Sequence, residues 1–376
     1  MLLRCQVYLL LIVETAAKPG LVSPVKMEGE TPPIQPSPAP ETASSSEESE
    51  EEVENDHVMS EIHLGCPPKI SGSFVSHFTF SLPPDVEYIE GKYEYEVFDD
   101  SKLRQEVSLD DDGDLALPRR KKHLKDTFDV AIQHNITSSI PKVGLQVWRA
   151  ELVLCDFVLH KMYTSSEFNG IVAVELGAGT GLVGMLLARV AKSVYLTDHG
   201  ADILENCASN VHLNSALLPS KTSVYVRELD WKASWPLHKT IVHLVKEFEE
   251  LKKASLLVAA DVIYSDDLTD ALFHTLERLM SNGLKKVLYL ALEKRYNFSI
   301  NDLNVVANGY SRFRSYVRDE LDDAENNELQ NGSASAFVGT RIDLTEIPQY
   351  AVNYNRGHVL ELWKIKYMRE GKNHVV

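Results

Sequence analysis

The sequence predicts an α/β fold: a parallel sheet with helices packed on both faces. Two observations predict it. From Thr127 onward, short apolar runs alternate with stretches whose apolar residues recur at helical spacing. Alternation on that scale implies parallel strands joined by crossover helices. Second, V-A-V-E-L at 172–176 leads directly into G-A-G-T-G at 177–181, and a helical pattern begins at Leu182. That is a buried strand feeding a tight turn and a helix start. The 376 residues suffice for one sizeable α/β domain with appendages.

The chain opens with an apolar run, residues 1–13, interrupted by Arg4. It resembles a short signal peptide but is too short to span a bilayer. A misassigned start or an unstructured apolar tip is the expectation. Residues 29–55 are rich in Pro, Ser and Glu and lack aromatics, so they cannot bury enough surface to order themselves. The net charge of −17 describes this tail more than a fold. Ten of the acids fall between Glu28 and Asp56 with no Lys or Arg among them. The expected division is a disordered acidic tail over 1–60, a β-rich extension and basic linker over 61–126, and the main domain over 127–376.

Residues 74–82 and 88–98 alternate apolar and polar, as a hairpin or edge strands do. The D-D-D-G-D run at 110–114 lacks the acid spacing and the twelfth-position glutamate of a calcium loop, and reads as a polar loop. Arg119, Arg120, Lys121, Lys122 and Lys125 form a basic cluster that suits a nuclear import signal or an acidic partner. Four widely spaced cysteines offer no zinc pattern, and Cys155 and Cys207 read as small buried hydrophobes. No metal site is expected.

In the main domain, strands are expected at 130–136, 171–176, 193–197, 222–227, 256–260 and 286–292. Closing strands are expected at 312–317 and 358–367. Helices are expected at 143–159, 182–190, 201–214, 269–281 and 301–310. Residues 319–335 read as a polar insertion.

Gly177, Gly179 and Gly181 let backbone approach a ligand closely, and the helix start beyond them offers unpaired N–H groups. With Ala178 they form the candidate ligand loop. G-A-G-T-G is not the G-x-G-x-x-G spacing of nicotinamide binders. Glu175 precedes the loop, as a ligand contact, a backbone contact or both. Asp198 ends the second strand, where an acid can accept hydrogen bonds from ribose hydroxyls. E-L-G-x-G-x-G followed by that acid closely resembles the first motif of the seven-strand S-adenosylmethionine methyltransferases. The implied architecture is their Rossmann-like seven-stranded sheet, with the loop taking the amino-acid part of the cofactor S-adenosyl-L-methionine. E-L-D-W at 228–231 places Asp230 and Trp231 where that resemblance puts the adenine, and Trp148 falls where it puts a ring closing over the cofactor.

A-A-D-V-I-Y at 259–264 sets Asp261 at the carboxyl end of a central strand, preceded by Ala260. It resembles the D-x-x-Y motif of the family 16 protein methyltransferases, largely lysine-specific. The Pro-Pro pair of adenine and glutamine N-methyltransferases is missing here. The resemblance implies that Asp261 and Tyr264 are catalytic and that the reaction is lysine methylation. The partner is then a protein with an accessible lysine, nuclear and nucleic-acid-associated. E-K-R at 293–295 resembles a family feature near the substrate entrance. The likeness covers 145–298 and returns at 360–365. A monomeric enzyme is expected in the nucleus, and also in the cytoplasm, without membrane attachment. The mild charge of the catalytic region speaks against direct nucleic-acid binding. The alternatives are an RNA or small-molecule methyltransferase, or a cofactor-binding scaffold without turnover.

Overall fold

The computed structural model describes residues 57–62, 72–83, 127–233, 249, 251–295, 297–299, 304–306, 308–320, 336–352 and 354–368. Four strands come first: β1 (His57–Met59), β2 (Ser73–Ser81), β3 (Thr127–Asn135) and β4 (Thr137–Ser139). Helix α1 (Arg149–Thr164) opens the alternation. It continues through β5 (Val172–Leu176), α2 (Leu182–Leu187), β6 (Ser193–Asp198), α3 (Ala201–Leu213) and β7 (Ser223–Glu228). Then follow β8 (Leu256–Ala260), α4 (Asp266–Ser281), β9 (Val287–Glu293), β10 (Asn297–Ser299) and β11 (Asn304–Val306). The chain closes with α5 (Asn308–Tyr316), β12 (Val317–Asp319), β13 (Phe337–Ile342) and β14 (Leu360–Tyr367).

The central sheet runs β12-β13-β14-β9-β8-β5-β6-β7. Strands β9, β8, β5, β6 and β7 are parallel, and β14 is antiparallel to both its neighbours. The α/β class is as expected, and β13 adds an eighth strand. The connection order reverses at β5, whose successors β6 and β7 lie on one side while β8 and β9 lie on the other. A crevice opens at the carboxyl ends where the direction reverses. All five residues of β5 are buried. Ala173 packs into the apolar layer shared with α1 and α2, whereas Val172 and Val174 face the layer of α4. That alternation is the period-two geometry of a strand covered on both sides.

Of the two expected strands, 88–98 lies outside the described residues and 74–82 is β2. It pairs with β3 in an antiparallel ladder running from Ser73↔Asn135 to Ser81↔Thr127. The other edge of β3 docks on α3 through three asparagines four residues apart, which share one helix face. Asn214 and Asn210 each accept from and donate to the backbone, at Ala131 and Gln133, and Asn206 donates to Gln133. These side-chain amides complete the strand edge as a neighbouring backbone would. β1 pairs with β4, and Ser60 donates to the Val147 carbonyl, fixing residues 57–62 beside the turn that precedes α1.

Four expectations are corrected. The helix predicted from 143 begins at Arg149. Pro141 and Gly144 instead make a 3-10 turn over Ile140–Leu145, and Gly144 sits against Ile203 with no room for a side chain. The predicted helix at 301–310 is a strand at Asn304–Val306 followed by α5. The predicted strand at 312–317 is mostly helix. Tyr310, Phe313 and Tyr316 recur at helical spacing and pack on the apolar layer, a stripe that R-F-R-S-Y-V disguises as alternation. Finally, β13 follows the polar insertion and was not anticipated. Its side chains Phe337 and Val338 are buried. The acidic tail to residue 56, the 110–114 run, the basic cluster and residues 321–335 of the insertion lie outside the described residues. Cys155 and Cys207 are buried free thiols.

Candidate active site

The loop after β5 is held by backbone and by one acid. Gly177, Gly179 and Gly181 all have positive φ, of 66°, 50° and 83°, a region closed to most side chains. Asp198, the last residue of β6, accepts from the Gly179 N–H at 2.7 Å through Oδ2 and from the His199 N–H at 2.7 Å through Oδ1. Ala178 donates to the Thr197 carbonyl at 2.9 Å. The loop is therefore tied to the neighbouring strand end. Burial raises the pKa of Asp198, and the two N–H donors oppose that shift. A carboxylate has about four acceptor positions, so both oxygens can take a further donor.

Glu175 is directed beneath the loop. Its Oε2 accepts from the Gly184 N–H of α2 at 2.9 Å, and the residue is buried. Burial, then the nearby Glu151 charge, pushes its pKa well above the carboxylate range. Glu151 was not anticipated. It lies on α1, accepts from the Thr180 hydroxyl at 2.8 Å, and is pushed up to about 7, by burial foremost. The sequence signal was an acid, one of two with Asp156, within a largely apolar helical run.

Trp231 closes the other side. A Cβ on Gly177 would lie 2.7 Å from Val262 Cγ1 and 3.4 Å from the Trp231 ring. The Trp231 indole Nε1 is buried without a hydrogen-bond partner. Asp230 turns its carboxylate to the Lys232 N–H at 2.9 Å, closing its own turn. Trp148 is the residue preceding α1, and its Nε1 donates to the Val143 carbonyl at 3.1 Å.

Asp261 follows β8 directly after Ala260. It is the described non-glycine residue with positive φ, at 55°. Such backbone is uncommon for an L-residue and clusters at functional sites. Its N–H donates to Ala291 of β9 at 2.9 Å, which fixes it against the next strand. Asp261 is not the cap of the following helix, because α4 starts at Asp266 after Ser265. The side chain is 3% exposed, and Oδ2 is paired with the Arg295 guanidinium. Burial raises the Asp261 pKa, and the Arg295 charge opposes the shift. The same guanidinium lies over the Trp148 ring, 4.6 Å from its centre. Arg295 thus joins Trp148 to Asp261, a role that its place in a charged E-K-R run did not reveal. Tyr264 is 42% exposed at the rim. Its hydroxyl is pushed up to about 12 by desolvation and then by the Asp198 and Asp261 charges.

Two neighbouring groups therefore stand at the carboxyl ends of β5 to β9. One is the glycine loop with Asp198 and Trp231. The other is Asp261 with Arg295, Trp148 and Tyr264. Residues 125–307 match a family model described as lysine methyltransferase. Methyltransferase-like protein 22 of Homo sapiens is 34% identical over 300 residues, covering 69% of this chain and 71% of that protein. The protein of that name in Mus musculus is 32% identical over 342 residues, 80% of each chain.

The chain belongs to the lysine methyltransferase family.

Protein N-lysine methyltransferase METTL21A of Mus musculus is 33% identical over 182 residues, 48% of this chain and 74% of the relative. The chain is an S-adenosylmethionine-dependent protein-lysine methyltransferase. Two features of the site fit the cofactor that this family uses: the loop acid Asp198 retains acceptor capacity, and the buried Trp231 Nε1 lacks a partner.

Proposed function

We propose that the glycine loop side of this site holds S-adenosylmethionine and that Asp261 positions the acceptor lysine beside it. Gly177, Ala178 and Gly179 hold the amino-acid part, Asp198 the ribose, and Asp230 and Trp231 the adenine, with Trp148, Glu175 and Ala260 completing the wall. Bound there, the cofactor supplies an electrophilic methyl group. The observation that carries the reading is Asp261. It is a buried acid in rare backbone geometry, at a central strand's carboxyl end, with Oδ1 unpartnered.

A lysine amine has a reference pKa of about 10.4, so it must lose a proton before it attacks. A carboxylate beside the ammonium opposes that loss. Asp261 is therefore a positioner more than a base: it accepts from the amine through Oδ1 while Arg295 keeps Oδ2 in place. Tyr264, protonated at neutral pH, shapes the rim of the slot, and water takes the proton. Alignment of nucleophile and methyl then supplies much of the acceleration. The substrate is a nuclear, nucleic-acid-associated protein, and the monomeric enzyme acts in the nucleus and also in the cytoplasm. The family resemblance and the import-like composition of Arg119–Lys125 support this reading.

The test is transfer of labelled methyl to fractionated cell extract. Protease-sensitive label in nuclear proteins is expected, and Asp261→Ala reduces it by about a hundredfold or more with cofactor affinity preserved. Label confined to cytosolic proteins would remove the nuclear substrate. Full transfer by Asp261→Ala would remove the assignment of that residue.

A further inference from the structure

Among the described residues, two buried carboxyl oxygens have no hydrogen-bond partner: Asp261 Oδ1 and Glu293 Oε2. Both acids are more than nine-tenths buried, at 8% and 7% relative exposure. They sit at the carboxyl ends of the adjacent strands β8 and β9, where Ala260 pairs with Ala291. Each has its other oxygen taken by one arginine: Arg295 on Asp261 and Arg149 on Glu293. Asp261 and Glu293 are close enough that the Asp261 charge helps raise the pKa of Glu293, after burial and with Arg149 opposing. Buried polar groups are nearly always paired, so two such oxygens at the ends of adjacent strands require an explanation.

We propose that Glu293 is the second carboxylate of the lysine slot, binding the protonated substrate amine together with Asp261. This rests on Asp261 facing the substrate, as argued above. An ammonium carries three donors on one compact centre and can serve two oxygens from different residues. A guanidinium prefers both oxygens of one carboxylate. Arg149 and Arg295 already occupy one oxygen of each acid, so the slot offers single acceptors and selects lysine over arginine. The charge count agrees. Asp261, Glu293 and Glu61, the last 4.0 Å from Arg149, face two arginines. One incoming ammonium balances this excess. Glu61 comes from residues 57–62, which Ser60 ties beside α1. Capture of the charged amine is separate from its later proton loss, so Glu293 governs substrate saturation more than the maximal rate.

The experiment uses the full-length enzyme, labelled cofactor and cell-extract protein over a range of concentrations. Glu293→Gln is expected to raise the extract concentration at half-maximal rate by about tenfold, with the plateau within about threefold. Glu293→Asp, which keeps the charge, is expected to recover most of that loss. S-adenosylhomocysteine affinity, read by calorimetry, stays at the wild-type value in both. Unchanged half-saturation in Glu293→Gln, or equal damage in Glu293→Asp, overturns the second carboxylate. Asp261→Ala is measured alongside. If it retains full transfer, the reading of Asp261 fails. If only Glu293→Gln is normal, the second carboxylate alone fails. A readout on the wild type covers the case of a misfolded variant. n-Butylammonium is expected to compete with substrate at least about fivefold better than n-butylguanidinium, and equal competition overturns the proposal.

Discussion

Asp156 and Asp261 are both buried aspartates, yet they have opposite surroundings. Asp156, on α1, is saturated. It accepts from the Tyr350 and Ala351 N–H groups at 2.7 Å each, from the Tyr354 hydroxyl, and from Arg356 at 2.8 Å. Glu361 on β14 is similar, taking Lys294, Arg341, Tyr310 and Trp363. Asp261 and Glu293 each retain a free oxygen. Desolvating a carboxylate is costly unless its acceptors are used. The saturated acids meet that cost within the fold and anchor segments. The unsaturated pair do not, and in the reading proposed above the substrate amine meets it. Burial with unused acceptor capacity, more than burial alone, is what singles out Asp261 and Glu293 as candidates.

The sharpest way to break this contrast is to remove each aspartate in turn. Asp261→Ala should cost about a hundredfold or more in methyl transfer with a smaller fall in melting temperature than Asp156→Ala, because the one side chain it holds, Arg295, is partly exposed. Asp156→Ala should do the reverse. It takes the carboxylate away from the Tyr350 and Ala351 N–H groups, the Tyr354 hydroxyl and the half-buried Arg356 at once, at roughly 3–5 kcal/mol of stability read by denaturant unfolding, with transfer per folded molecule retained. If the two variants behave alike, unused acceptor capacity is not a guide to function.

Gly177→Ala tests the cofactor side, where backbone does the work. With φ at 66° and Val262 2.7 Å from the new Cβ, cofactor affinity should fall by about tenfold or more in a direct binding titration. Unaltered affinity would place the cofactor elsewhere.

A smaller effect is expected beneath the loop. Glu151 is raised to about 7 by burial, so the folded state holds a proton there that the unfolded chain has released. The folded state then binds more protons between roughly pH 4.5 and pH 7, and this group's contribution to stability declines as pH rises through that window. The loss is on the order of 2–3 kcal/mol. Glu151→Gln should flatten the fall of melting temperature over that range. An unchanged slope would show that Glu151 is not the titrating group.

The geometry of the glycine loop was legible in the sequence because it depends on backbone. Glycines at fixed intervals after an apolar run are demanded by positive φ and by space at the Gly177 position, and both are local requirements. Asp198 was legible for the same reason, as the last residue of the next strand. Local pattern failed where two periods overlap. The 310–316 stretch reads as alternating, but Tyr310, Phe313 and Tyr316 form a helical stripe once the sheet is there to cover it. It also failed at β13, which follows a polar insertion and gains strand structure by pairing with β14.

The sequence by itself determined the α/β alternation, the ligand loop and the acid at the end of each carrying strand, because each follows from short-range period and backbone sterics. Tertiary structure decided the surroundings of Asp261 and Glu293. Arg295 lies 34 residues beyond Asp261 and Glu293 lies 144 beyond its partner Arg149, and their contacts exist because β8, β9 and α1 meet at one end of the sheet. Which buried acid is saturated, and which is left with an open oxygen, is a property of those long-range contacts. No residue's identity encodes it.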